Sequence, residues 1–293
     1  MITGLHHVTA IASDPQKNLD FYTKFLGLRL VKKTVNFDDP GTYHFYFGDQ
    51  TGTPGTILTF FPWPGTFRGR KGSGQTVRTA YSVPRNSLGA WVDKARAAGV
   101  SVEGPQMRMN EDFITLTDPD GMLIELFATG EGEGTAPGKF HSVTLAEGSL
   151  DKTEAVLTGL MGFRKVAEEG DRVRYASTEA GAVDLDVSNI GRGTSGAGTV
   201  HHIAFRTPDA ATQLEWRKKI ESAGLHVSPV MDRNYFQSIY FREPGGVLFE
   251  IATDPPGFTV DESAAELGLN LKLPRQYEPM RSRLETVLPK VTL

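Results

Sequence analysis

Two pairs of adjacent histidines are the clearest chemistry-bearing residues in this sequence. His6-His7 lies in the run LHHVTAIA, and His201-His202 lies in the similar run VHHIAFRT. Glu250 interrupts the apolar run VLFEIA, where an ionised carboxylate is costly unless it is paired or bound to a metal. Because the chain has no cysteine, a transition metal would be held by His, Asp and Glu. These residues predict a metal site.

Both histidine pairs lie in runs rich in β-branched and aromatic residues, which is typical of a half-buried strand. Successive side chains of a strand point to opposite faces. We therefore expect one histidine of each pair to face the site and the other to face away, unless a bulge re-aims it. The alternation places His7 with Thr9 on one face of the first strand, and His202 with Ala204 on the matching face of the second.

The elements that carry these residues repeat along the chain. Each repeat opens with an alternating run, continues into an amphipathic helix that ends before a glycine, and closes with further strands. The opening runs are Leu5–Ala12, Val77–Val83, Phe140–Leu145 and Val200–Thr207. The pattern predicts a βαβββ module used four times. We expect a first pair of modules over 1–135, a second pair over 136–260, and a C-terminal tail over 261–293 packed on the surface.

Placing the four modules in register predicts which of them combine. The opening-strand position is occupied by His7, Thr79, Ser142 and His202, and the closing-strand position by Thr59, Glu125, Asp186 and Glu250. Pairing module one with module four brings together two histidines and one carboxylate, whereas pairing neighbouring modules leaves one imidazole in each cup. We therefore predict an α+β fold of two cupped half-barrels. Modules 1 and 4 pair around the metal, and modules 2 and 3 pair without one.

Composition excludes several classes of protein. The chain has 293 residues, 39% of them hydrophobic and 23% charged, which is typical of a globular protein. Its 31 basic and 35 acidic residues leave a net charge of −4, so we expect no nucleic-acid partner. Glycine, proline or charge interrupts every apolar run, so we expect no membrane span. The N-terminal residues lack the pattern of a signal peptide, which predicts a cytoplasmic location.

Several segments resemble a known superfamily. The turn DPDG at 118–121, followed by LIEL, is similar to turns of the vicinal oxygen chelate superfamily, which includes glyoxalase I, bleomycin-resistance proteins and extradiol dioxygenases. The segments LHHVT, YHFYF, GTPG, GRKG, HHIAF and YFREPGGVLFE resemble the ring-cleaving hydroquinone dioxygenases over essentially the whole chain. The resemblance implies Fe(II), with Mn(II) as the alternative ion, bound by His7, His202 and Glu250.

The resemblance also implies roles for residues around the metal. Catalytic positions fall on His6, His201 and Tyr240, with a histidine accepting the proton of a substrate hydroxyl and the tyrosine donating a hydrogen bond. Thr9 falls on a further outer-sphere position, so we expect it, with Arg233 and Phe236, to contact substrate. Where family members often carry an arginine directly before Tyr-Phe, this chain has Asp-Arg-Asn at 232–234.

The predicted function is that of an Fe(II)-dependent, extradiol-type ring-cleaving dioxygenase acting on a hydroquinone or related aromatic diol and O2. One alternative is a glyoxalase-like isomerase or lyase, in which four protein ligands usually hold the metal; Thr59 at the fourth position argues against it. The other is a metal-free binding protein of the bleomycin-resistance type, against which the preserved triad argues. Because exposed sheet edges in such repeats often pair between chains, we also expect a homo-oligomer.

Overall fold

A computed structural model describes residues 2–178 and 181–293 of the chain. Within these residues the order of one strand, one helix and three strands occurs four times, as the sequence predicts. The strands are β1 (Leu5–Ala12), β2 (Arg29–Val35), β3 (Tyr43–Gly48), β4 (Ile57–Pro62), β5 (Gln75–Pro84), β6 (Val102–Arg108), β7 (Glu111–Thr117), β8 (Leu123–Gly130), β9 (Phe140–Ala146), β10 (Arg164–Glu169), β11 (Arg172–Ala176), β12 (Ala182–Asp186), β13 (Val200–Thr207), β14 (Met231–Asp232), β15 (Gln237–Arg242) and β16 (Leu248–Thr253).

Each module carries a short helix after its opening strand. The helices are α1 (Pro15–Asp20), α2 (Leu88–Ala97), α3 (Asp151–Ala155) and α4 (Ala210–Ser222), with α5 (Arg281–Val287) in the C-terminal segment. α1 and α3 continue into π-helical turns over Phe21–Phe25 and Val156–Leu160, and 3-10 turns cover Phe258–Val260 and Arg275–Met280. In α2 the buried side chains are Leu88, Trp91, Val92 and Ala95. Their spacing of three or four residues gives one apolar face that packs against the sheet.

The strands form two eight-stranded sheets, each built from modules that are not adjacent in the chain. The first sheet has the order β14-β15-β16-β13-β1-β4-β3-β2 and joins modules four and one. The second has the order β10-β11-β12-β9-β5-β8-β7-β6 and joins modules three and two. The predicted α+β fold, with modules 1 and 4 paired and modules 2 and 3 paired, is therefore confirmed.

Alternation along each strand separates the packed core from the inner face of the cup. On β4, the Phe60 ring lies 4.5 Å from the Tyr22 ring of the first helical segment, so this side chain joins the core beneath the helices. The preceding residue, Thr59, points the other way and hydrogen-bonds to Thr9 and His44. The inner face therefore collects the polar and aromatic residues that form the site.

The seam between paired modules contains bulges that the sequence does not reveal. Between β1 and β13, partners Leu5↔Phe205 and His7↔Ala204 leave His6 as an extra residue, and His201 is the extra residue on β13. The equivalent seam between β5 and β9 is shifted in the same way around Val77 and His141. A bulge inserts one residue and changes the direction of the side chains beside it. The two seams are thus equivalent in detail.

These registers correct two positions in the predicted repeat alignment. Arg78, not Thr79, occupies the place of His7, because Arg78 pairs with Thr144 as His7 pairs with Ala204. Asp184, not Asp186, occupies the place of Glu250: Asp184 pairs with Thr144 as Glu250 pairs with Ala204. The bulge in β5 and the length of β12, neither visible in the local sequence, caused both errors.

The C-terminal segment runs beside the first sheet. Lys33 and Leu271 form an isolated bridge, and the fully buried Lys32 amine lies 2.6 Å from Asp261 and 2.5 Å from Glu262. Among residues 2–178 and 181–293, none of the helices combines the length and apolar character that a membrane crossing requires. The boundaries at 135 and 260, the homo-oligomer and the cytoplasmic location stay predictions.

Candidate metal centre

Three side chains from three neighbouring strands converge inside the first cup. His7 on β1, His202 on β13 and Glu250 on β16 offer ligand atoms that all lie within 4.8 Å of one another. Glu250 Oε2 is 3.3 Å from His7 Nε2 and 2.9 Å from His202 Nε2. All three residues are buried. Strands almost two hundred residues apart in the chain thus present one cluster of donor atoms.

The donor set fits a divalent transition metal. Glu250 Oε1 accepts a hydrogen bond from Ser238 Oγ at 2.5 Å, whereas Oε2 has no hydrogen-bond partner among the described residues. Burial raises the pKa of the Glu250 carboxyl, but the neighbouring His7 and His202 outweigh burial and hold the pKa well below its usual value. The carboxylate is therefore ionised, and its orphaned oxygen points where two imidazole nitrogens converge. A bound cation would complete this arrangement.

In each pair, the histidine outside the ligand cluster (His6 or His201) orients its neighbour that belongs to the cluster (His7 or His202). His6 Nδ1 lies 2.9 Å from His7 Nδ1, and His201 Nδ1 lies 2.7 Å from His202 Nδ1. With the N–H of each contact on His7 and His202, the lone pairs of their Nε2 atoms stay free for a metal. Burial, then the neighbouring His7, holds the pKa of His6 well below its usual value, which keeps this acceptor neutral.

The bulges change the direction in which the side chains of His6 and His201 point, so simple alternation does not describe these strands. The rings of His6 and His7 both lie 5.0 Å from the Phe236 ring, on the same side of the sheet. His201 lines the cavity beside His202, with its ring 5.7 Å from that of Phe61. The expectation that one histidine of each pair faces away is therefore wrong, because the strands contain the bulges that the sequence analysis allowed as an exception.

A cavity of about 370 Å³ is lined by His7 and His202, the two histidines of this cluster. Four further residues singled out in the sequence line it: His201, Arg233, Phe236 and Tyr240. His6 and Thr9 do not line it. His6 stands behind His7, and Thr9 is bonded through Thr59 to the cavity wall. The structure thus brings all the singled-out residues to one cup, although at different depths.

Arg233 and Tyr240 form a polar unit on the cavity wall. Arg233 Nε donates to the Tyr240 hydroxyl at 3.2 Å, and Arg233 Nη2 lies 3.2 Å from Asp38 at the mouth. Burial, then the charge of Glu250, raises the pKa of Tyr240, so the phenol stays protonated near neutral pH. Because the hydroxyl accepts from Arg233, its own proton remains available for donation into the cavity. The Asp-Arg-Asn loop therefore does carry an arginine into the pocket.

Among the described residues that line the cavity and that the sequence analysis did not single out, His44 is the one histidine. His44 on β3 is 7% exposed and lies on the cavity wall, with Nε2 2.8 Å from Thr59 Oγ1. The alternation in YHFYF was the available signal, since it places the histidine on the same face as Tyr46 and away from Phe45 and Phe47. Its significance depends on contacts with another strand.

The second cup contains ion pairs at the equivalent positions. Arg108 makes two hydrogen bonds to Glu125, at 2.8 Å and 2.9 Å, and Arg78 adds one at 3.2 Å. Arg174 binds both oxygens of Asp184, at 2.7 Å and 3.0 Å. Guanidinium groups neutralise these buried carboxylates and have no lone pair to offer a metal. The second cup is built on charge pairing.

Comparisons with known proteins agree with this architecture. Residues 4–126 and 139–251 match the Glyoxalase family, described as the Glyoxalase/Bleomycin resistance protein/Dioxygenase superfamily. A Bacillus subtilis (strain 168) protein named "Putative ring-cleaving dioxygenase MhqO" is 48% identical over 96% of this chain and 94% of its own length. The "Chlorohydroquinone/hydroquinone 1,2-dioxygenase" of Sphingobium indicum is 33% identical over 97% of this chain and 95% of its own.

A solved structure gives the same result. The crystal structure of a protein described as a "putative dioxygenase" from Bacillus subtilis subsp. subtilis str. 168 superposes with a TM-score of 0.94 at 47% identity. The match covers 99% of this chain and 98% of that one. The two-cup architecture is therefore shared along the whole length.

Proposed function

This chain belongs to the glyoxalase/bleomycin resistance protein/dioxygenase superfamily, and we propose that it is a ring-cleaving dioxygenase that uses Fe(II), with Mn(II) as the alternative ion. Its proposed substrates are O2 and a hydroquinone or related aromatic diol, and the cleavage is of the extradiol type. One observation carries this proposal: two imidazoles that line a cavity large enough for one aromatic ring converge with a single buried carboxylate.

The ligand number supports an oxygenase. Two histidines and one carboxylate leave open coordination positions, and this is the set associated with non-haem Fe(II) oxygenases. When bound, the ion would supply Lewis-acid activation of the diol and a path for electrons from the ring to O2. The fourth position that a glyoxalase-like site would use is Thr59, whose hydroxyl is already engaged by His44 and Thr9. This argues against the isomerase or lyase alternative.

The protein's own residues bind the ring and handle its protons. Phe236 and Phe61 give the cavity apolar walls against which a flat ring packs. His201 accepts from His202 through Nδ1, so its neutral ring carries the proton on Nε2, and at the cavity surface it can donate a hydrogen bond to a substrate oxygen rather than accept the hydroxyl proton predicted for it. Tyr240 donates a hydrogen bond towards negative charge that develops on oxygen, and Arg233 holds its hydroxyl in place.

The proposed reaction balances without an external reductant. The bond between a hydroxylated ring carbon and its neighbour breaks, and both atoms of one O2 molecule enter the product. The ring supplies the four electrons that reduce O2, so one diol and one O2 give one ring-opened acid aldehyde from an unsubstituted ring. A consumption ratio of one O2 per diol is therefore expected.

Oxygen uptake on a panel of substrates tests the proposal. Protein loaded anaerobically with Fe(II), or with Mn(II) in a parallel sample, is mixed with air-saturated hydroquinone, catechol or a hemithioacetal. We expect equimolar loss of O2 and diol, with no reaction of the hemithioacetal. Isomerisation of the hemithioacetal without O2 uptake would identify the glyoxalase-like alternative. Tight diol binding with no turnover under either metal would favour the binding-protein alternative.

A further inference from the structure

His44 lines the cavity and carries a buried ring nitrogen that has no hydrogen-bond partner among the described residues. The residue is only 7% exposed, and the ring nitrogen without a partner is Nδ1. Buried polar atoms in folded proteins almost always have partners, so an exception on a side chain that lines a cavity calls for a ligand. The metal-binding groups do not account for it, since His44 lies on β3, beyond β4 from the strand of His7.

The other nitrogen of the ring is anchored, and this anchor assigns the tautomer. His44 Nε2 lies 2.8 Å from Thr59 Oγ1, and Thr59 Oγ1 donates to Thr9 Oγ1 at 2.9 Å. A hydroxyl has one proton to donate, and Thr59 gives it to Thr9. Thr59 must therefore accept from an N–H at His44 Nε2. The proton of the neutral ring is then on Nε2, and Nδ1 carries a lone pair that can only accept.

The ring is also held rigidly. Its centroid lies 4.0 Å from that of Tyr46 and 4.4 Å from that of Phe61. Burial, followed by the charges of His7 and His202, holds the pKa of His44 well below its usual value, so the acceptor persists at neutral pH. A fixed acceptor on an apolar wall selects for a donor group at one place on the ligand.

Other side-chain acceptors at the cavity are each engaged by a protein donor at least once. Asp38 pairs with Arg233, Asp39 accepts from Trp63 Nε1 at 2.9 Å, and the Tyr240 hydroxyl accepts from Arg233. A diol that binds the metal through one oxygen must place its second hydroxyl elsewhere in the cavity. That hydroxyl needs an acceptor, because burying it without one is unfavourable.

We propose that His44 is a specificity-determining residue whose Nδ1 accepts a hydrogen bond from the ring hydroxyl that is not at the His7–His202–Glu250 site. This inference rests on the proposed function and names the feature of the substrate that the pocket reads. Thr9 then acts as the far anchor of a Thr9–Thr59–His44 chain. A ring with a second O–H is preferred, and a ring with a methyl group in its place leaves Nδ1 unsatisfied.

Anaerobic binding measurements test the inference without turnover. Dissociation constants of hydroquinone and of 4-methylphenol are measured by calorimetry on the Fe(II)-loaded protein in the absence of O2. For the wild type we expect hydroquinone to bind about tenfold more tightly than 4-methylphenol, the difference expected for one hydrogen bond to a buried partner. In His44→Leu this preference should fall to within about twofold, through weaker binding of hydroquinone alone.

Two further variants keep the test decisive. Phe61→Leu, which trims the wall against the same imidazole, should weaken both ligands equally and preserve the preference. His44→Asn places an amide oxygen near the position of Nδ1 and should recover part of the preference, even if His44→Leu folds poorly. Equal weakening of both ligands in His44→Leu, or a wild type without preference, overturns the inference. The proposed function fails separately, if the wild type consumes no O2 with any diol.

Discussion

The two cups place a carboxylate at the same position, and neutralising each one should have opposite consequences. Glu250 pairs with Ala204 in the first cup as Asp184 pairs with Thr144 in the second. Both side chains are 0% exposed. We predict that Glu250→Gln abolishes metal binding with the fold retained, and that Asp184→Asn destabilises the fold with metal binding retained.

The size of the first effect follows from the contacts of Glu250. Glutamine keeps the side-chain volume and the hydrogen bond from Ser238 but removes the charge from the oxygen that faces His7 and His202. Loss of a group that merely orients a ligand costs about 10- to 100-fold in metal affinity. Loss of the only anionic ligand of the triad should therefore cost more than about 100-fold. Oxygen uptake falls in parallel.

The size of the second effect follows from the Arg174 pair. Asp184 receives two hydrogen bonds from Arg174, whose side chain is 8% exposed, and asparagine can replace neither as a charged acceptor. Hydrogen bonds to a charged partner contribute about 1.5–3 kcal/mol, so we expect Asp184→Asn to lower the free energy of unfolding by about 2–3 kcal/mol. For a chain of this size that corresponds to a melting temperature about 3–5 °C lower.

Metal content after dialysis, metal titration and thermal melting of both variants provide the assay. Wild-type metal affinity in Glu250→Gln would refute the assignment of the first cup. A loss of metal in Asp184→Asn at unchanged melting temperature would refute the assignment of the second. Adding metal should also raise the melting temperature of the wild type and of Asp184→Asn, but not that of Glu250→Gln, because a ligand stabilises only the state that binds it.

Two other predictions concern a neighbour of the metal site and a buried acid far from it. Ser238→Ala removes the donor to Glu250 Oε1 and should lower metal affinity by about 10- to 100-fold with unchanged melting temperature of the metal-free protein, as measured by competitive chelation; an unchanged affinity contradicts the orienting role. Glu147 is 1% exposed, neither of its carboxylate oxygens has a partner in the described part of the chain, and burial followed by the charge of Glu243 raises its pKa to about 8. Between the usual pKa of 4.5 and about 8 the unfolded state is ionised while the folded state holds the proton, so stability falls as pH rises through this range. Glu147→Gln removes that loss and should raise the melting temperature more at pH 8 than at pH 5; a gain of equal size at both pH values contradicts the argument.

The pairing of the modules was predictable from local signals. A doubled histidine recurs at the same place in LHHVTAIA and VHHIAFRT, and a glutamate interrupts an otherwise apolar strand. Such signals survive in the sequence because alternation and residue type are properties of short segments. Requiring the ligands to concentrate in one cup then selected modules 1 and 4, and the strand order of the first sheet confirms that choice.

The exact register depended on strands that are distant in the chain. Counting along β5 pointed to Thr79 as the equivalent of His7, but the bulge at Val77 moves Arg78 into that place. The same kind of bulge turns His6 and His201 towards the inner face. The position of a bulge depends on how the partner strand forms its hydrogen bonds, so the local sequence of the bulged strand does not predict it.

Residue types and their repetition in the chain were enough to predict the four modules, their pairing and a two-histidine, one-carboxylate cluster. The folded arrangement alone decided that Arg78 and Arg108 neutralise Glu125 in the second cup, and that Thr59 engages one nitrogen of His44 while the other has no partner among the described residues. The reason is physical: hydrophobic periodicity is a short-range property, whereas a hydrogen bond is made or lost over a few tenths of an ångström between strands that only folding brings together.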